Sequence, residues 1–68
     1  MDYAVVYERS GTGYAAYIPD LPGCVATGST RSAVERRIRS AVRLHLKAVR
    51  EDGQAVPSPT TWAEVVRV

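Results

Sequence analysis

The sequence predicts an α+β fold in the order β-β-β-α-β, a four-stranded mixed sheet of order 3-2-1-4 with one long helix packed on one face. Three observations predict it. DYAVVYE, residues 2–8, alternates among β-formers, so that Tyr3, Val5 and Tyr7 point one way and Ala4 and Val6 the other. Apolar residues then recur at helical spacing between Val34 and Val49. Glycine and proline punctuate the chain between these periodic runs rather than within them.

Taken in order, RSGTG carries two glycines that permit positive φ and closes a hairpin from the first strand onto YAAYI, residues 14–18. Pro19 lacks the N–H a ladder needs, so the second strand ends there. CVAT, after Gly23, is long enough for a short third strand, which completes a meander. Thr30 is the best N-cap for a helix running from about residue 31 to about residue 51, because its hydroxyl can accept from an orphan amide of the first turn. Val34, Ile38, Ala41, Val42, His45, Leu46 and Val49 share one face of that helix, which is expected to lie on the sheet. Gly53 stops it, Pro57 and Pro59 keep the linker extended, and AEVVRV reads as a fourth strand. A right-handed crossover places that strand beside the first.

Composition bounds the function. A chain of 68 residues has a small core and needs reinforcement. Cys24 has no partner for a disulfide, and no metal-ligand spacing is present. Self-association to a dimer or tetramer is therefore expected, since one helix covers one sheet face and leaves edges open. No apolar run approaches a membrane span and no signal peptide is evident, so the expected setting is the reducing cytoplasm, with no membrane partner. The net charge of +2 matters less than its placement, for Lys47 and most arginines fall between residues 31 and 50.

The first strand, GYAAYIPDLPGCVATGST at residues 13–30, the helix AVRLHLKAV and the glycine then P-x-P linker together resemble the HicB-like antitoxin family, over nearly the whole chain. PDLPGC followed by a Gly-x-Thr helix start is the most specific part. The resemblance implies one HicB-like domain over residues 1–68 with a partial ribonuclease-H-like fold. It also implies a non-enzymatic role, neutralising a small HicA-type toxin that cleaves messenger RNA. Many members carry a C-terminal DNA-binding domain; the sequence stops after the expected fourth strand, so autorepression is not carried over.

The candidate sites are weighed on their chemistry. In Pro19, Asp20, Leu21, Pro22, Gly23 and Cys24, the last four fit a type II turn, with Asp20 expected to accept from the Gly23 or Cys24 amide and tie the turn shut. Direct partner contact by this loop is the alternative reading. Cys24 as a nucleophile would need a base, and His45 sits on the apolar helix face, so no catalytic pair is assigned. The carboxylates are too scattered for two-metal hydrolysis, and no catalytic residue, cofactor or metal is expected. Arg36, Arg39, Arg43, Lys47 and Arg50 share the outer helix face, which is either merely solvated or a contact for an acidic partner such as nucleic acid. Glu35 to Arg39 is the one well-oriented ion-pair offset in the stretch. Trp62 and the tyrosines are read as filling the core or a subunit interface rather than as a stacking platform for RNA.

Overall fold

The computed structural model describes residues 1–68 as strands β1 (Val6–Ser10), β2 (Gly13–Tyr17) and β3 (Val25–Gly28), followed by helix α1 (Arg31–Glu51). The strands form an antiparallel meander in the order β1-β2-β3. Val6 pairs with Tyr17 and Ser10 with Gly13 across the hairpin, and Tyr17 pairs with Val25 on the other side. Residues 2–5, expected in the first strand, lie outside the ladder because β2 ends at the partner of Val6 and the chain then turns away at Pro19.

The helix behaves locally as its sequence dictates. Thr30 is extended, and its hydroxyl accepts from the Ala33 amide at 3.1 Å. At the other end the Gly53 amide donates to the Arg50 carbonyl and the Gln54 amide to the Val49 carbonyl, a Schellman closure with Gly53 at φ 73°. Gly28 has a different task. A Cβ on it would fall 2.9 Å from the Val34 amide nitrogen, so only glycine lets the first helical turn settle on the end of β3.

Two expectations are corrected. The fourth strand does not form: Ala63–Val68 has no ladder partner, the sheet has three strands, and the order 3-2-1-4 reduces to the meander alone. Nor does the whole apolar helix face lie on the sheet. A helix of 21 residues is about 32 Å long, whereas a five-residue strand reaches about 17 Å. Ala33, Val34 and Ile38 are consequently buried with Ala16, Ile18, Leu21 and Cys24, while the second half overhangs, with Val42 and Leu46 half-buried and Leu44 exposed.

The helix covers β3 and β2 but makes no contact with β1. Cross-strand partners share a face, so the rows Tyr7–Ala16–Ala26 and Arg9–Tyr14–Gly28 look toward the helix side, and Val6–Tyr17–Val25 and Glu8–Ala15–Thr27 look away.

Candidate functional site

The PDLPGC loop is a double turn built on its backbone. Leu21 donates to the Ile18 carbonyl at 3.0 Å, and Cys24 donates to the Leu21 carbonyl at 3.0 Å around Gly23 at φ 85°. That is the expected type II geometry, in which a side chain at Gly23 would be strained. Leu21 and Cys24 point into the core, and Pro19, Pro22 and Gly23 remain exposed. Burial pushes the Cys24 thiol up, away from the reactive thiolate.

Asp20 does not tie the turn shut. Its carboxylate accepts from the amides of Thr60 and Thr61 at 3.0 Å and from both their hydroxyls at 2.9 Å, some forty residues further on. The Thr61 amide bond is the chief reason its carboxyl lies below the usual carboxylate range, with the hydroxyls and the Thr60 amide adding to it. The local expectation failed because the Cys24 amide, one of its two expected donors, is taken by the Leu21 carbonyl, while the two threonines present four converging donors. The Tyr3 hydroxyl donates to the Pro57 carbonyl, so the chain after the helix is fastened at two points, to Tyr3 ahead of β1 and to Asp20 between β2 and β3.

Beyond that fastening the chain is exposed. Trp62 is 84 % exposed and Val65 98 %, with Val66 and Val68 also in the open. Trp62 therefore does not enter the core of the single chain. Tyr3 and Tyr14 do pack on the core, whereas Tyr7 and Tyr17 are exposed.

The basic helix residues are all exposed, but they do not act as one set. Arg36 donates to the Ser32 hydroxyl at 3.0 Å, and Lys47 pairs with Glu51 at 3.8 Å; that pair, and not Glu35 with Arg39, is the ion pair formed. Arg39 and Arg43 stand beside a cleft of about 240 Å³ whose other walls are Met1, Tyr3, Val5, Ile18 and Val42. Arg37, which sequence reasoning did not single out for contact, donates to the Thr27 carbonyl at 2.9 Å and ties the helix to β3. Its only prior signal was a position in the second turn of the helix.

The sheet face turned from the helix combines apolar side chains with one carboxylate. Val6, Glu8, Ala15, Tyr17, Val25 and Thr27 occupy it, Tyr17 39 % and Val25 64 % exposed, and none of its strand positions is Lys or Arg. No three of the His, Cys, Asp and Glu side chains gather closely enough to hold a metal ion. No helix is long and apolar enough to cross a membrane.

A three-stranded meander under a single capped helix, with its chemistry on open faces, defines a small α+β domain. A sequence profile described as the HicB-like antitoxin of bacterial toxin–antitoxin systems matches residues 3–67, and the chain belongs to that family. It is 31% identical over 64 residues to Antitoxin HicB 2 of Photorhabdus laumondii, covering 94% of this chain and 46% of the relative. It is 32% identical over 57 residues to an uncharacterized 14.9 kDa protein of Haemophilus phage HP1, covering 84% of this chain and 43% of the relative. The chain thus spans less than half the length of these two curated relatives. Among solved structures it resembles a chain of the HicA3 and HicB3 toxin–antitoxin complex, with a TM-score of 0.71 and 27% identity over 87% of this chain and 69% of that one.

Proposed function

We propose that this chain is a non-enzymatic antitoxin module that binds a HicA-type toxin by protein–protein contact, in the cytoplasm. The observation that carries the reading is the family match over residues 3–67, supported by likeness to a chain of a toxin–antitoxin complex. The toxin-facing surface in this reading is the outer sheet face around Val6, Tyr17 and Val25. HicA-type toxins are expected to be basic, and a face that combines exposed apolar side chains with Glu8 and no cation suits such a partner. The helix bearing Arg36, Arg39, Arg43, Lys47 and Arg50 would repel it.

The PDLPGC loop takes a supporting part, because Asp20 is spent on Thr60 and Thr61 and Leu21 and Cys24 face inward. A second reading, nucleic-acid contact through the helix, rests on Arg39 and Arg43, which no acidic side chain neutralises. Co-expression separates the two. A HicA-type toxin encoded beside this chain halts growth alone and is expected to be silenced when the chain is supplied. Undiminished toxicity at matched expression, with both proteins soluble, overturns the antitoxin reading.

A further inference from the structure

The hairpin end of the molecule carries a second cleft, on the side of β1 that the helix leaves uncovered. Its volume is about 210 Å³, and Tyr7, Glu8, Arg9, Tyr14 and Arg31 line it. Register explains the gathering. Arg9 pairs with Tyr14 and Tyr14 with Gly28, and the close seat of the first helical turn on Gly28 brings Arg31, the first residue of the helix, to the same end of the sheet. The Arg9 guanidinium stands 6.0 Å from the centre of the Tyr14 ring, and Tyr7 is 41 % exposed. Hydrogen bonds and ion pairs engage Arg36, Arg37 and Lys47 among the basic side chains, so Arg9 and Arg31 keep all their donors free. Glu8 also borders the cleft, but its strand position turns its carboxylate to the opposite face with Ala15 and Thr27, and it pairs with neither arginine.

A phosphate monoester carries about −1.5 to −2 charges at neutral pH and presents three acceptor oxygens. That matches two free guanidiniums, whereas a carboxylate or an internal phosphodiester brings a single charge. The volume lies below the roughly 300–1,000 Å³ of pockets that enclose a whole drug-sized ligand, so the cleft has room for one end group. We infer that it binds a nucleotide through its terminal phosphate: Arg9 and Arg31 hold the phosphate, and the Tyr7 ring stacks on the adjoining base. A free nucleotide and the phosphorylated end of an RNA strand share this chemistry. The site is separate from the outer sheet face proposed for toxin, because Tyr7 and Arg9 look toward the helix side, and from Arg39 and Arg43, which stand at the other cleft.

NMR titration of the full chain tests this with adenosine 5′-monophosphate, adenosine, inorganic phosphate, and a short single-stranded RNA carrying either a 5′-phosphate or a 5′-hydroxyl. The nucleotide or the phosphorylated RNA is expected to shift the amides of Tyr7, Arg9, Tyr14 and Arg31, while adenosine, inorganic phosphate and the hydroxyl RNA bind about tenfold more weakly. Tighter binding of the mononucleotide identifies a free nucleotide as the ligand, and tighter binding of the phosphorylated RNA identifies a strand end. Arg9→Gln and Arg31→Gln are each expected to weaken binding about tenfold, and Tyr7→Ser about fivefold, whereas Tyr7→Phe retains it. Arg67→Gln, away from the cleft, is expected to leave binding unchanged, and the amide spectrum of each variant shows whether it is folded. Amides unmoved by millimolar nucleotide and RNA overturn the inference, as do shifts confined to the helix beyond Arg37, equal binding of the two RNAs, or unchanged binding by both folded arginine variants. Shifts of these four amides that only a HicA-type toxin produces also overturn it, and assign the cleft to the toxin.

Discussion

The hairpin strands and the arm Trp62–Val68 have much the same sequence character and opposite fates. VYERS and GYAAY pair through five registered positions, whereas WAEVVRV pairs with nothing. The hairpin supplies its own partner through a tight turn at Gly11–Thr12, so its pairing is local and entropically cheap. The arm has the same β-forming residues but leaves its anchor at Thr61 without a neighbouring edge. Strand propensity is thus a condition, and an available edge decides.

The comparison breaks most severely at the core beneath the hairpin. Ile38 is fully buried, and Ile38→Ala is expected to cost about 2–5 kcal/mol, a large share of what a domain this small holds; a melting temperature unmoved from the parent would contradict the packing described. Next comes the seam between β3 and the helix. Gly28→Ala forces a Cβ against the Val34 amide, and denaturant unfolding should show a loss of about 1–3 kcal/mol.

The anchor of the arm gives a more local effect. With Asp20→Ala, the amides of Thr60 and Thr61 lose their acceptor, and their hydrogen exchange is expected to rise while the β1–β2 amides keep their protection. Acid reproduces this. Because the folded carboxyl lies below its ordinary value of 3.8, the anchor's contribution is complete above that value and is lost as pH falls through the lower folded one. Slowed arm exchange in the variant, or an acid-insensitive anchor, would show that the fastening lies elsewhere. Smallest of all is Val65→Ala, expected to stay within about 0.5 kcal/mol for the dilute single chain, since the side chain touches so little. A loss as large as that of Ile38→Ala would mean that the arm packs on its own core.

What the sequence made legible is what depends on neighbours along the chain. The Thr30 cap, the stop at Gly53 and the type II turn at Pro22–Gly23 each need only a few consecutive residues, and each is found where expected. Asp20 was noticed but given the wrong partners, because its donors lie forty residues away and nothing in PDLPGC announces Thr60. The helical stripe reported which side chains are apolar but not how far the sheet extends beneath them. Leu46 and Val49 thus joined the expected face although the strands are too short to bury them. The missing fourth strand has the same origin, since alternation in AEVVRV describes a surface without naming its partner. The outer sheet face, now the candidate toxin surface, became visible only when the register aligned Val6, Tyr17 and Val25.

Titration calorimetry against a HicA-type toxin tests the central claim most directly, comparing the parent chain with Tyr17→Lys on the outer sheet face and with the triple change Arg39→Glu, Arg43→Glu and Lys47→Glu on the helix. Like charge set into the apolar face is expected to weaken binding about a hundredfold, while the helix variant binds as tightly as the parent or more so. Binding unaffected by Tyr17→Lys and abolished by the helix changes, with both variants folded by circular dichroism, would contradict the account.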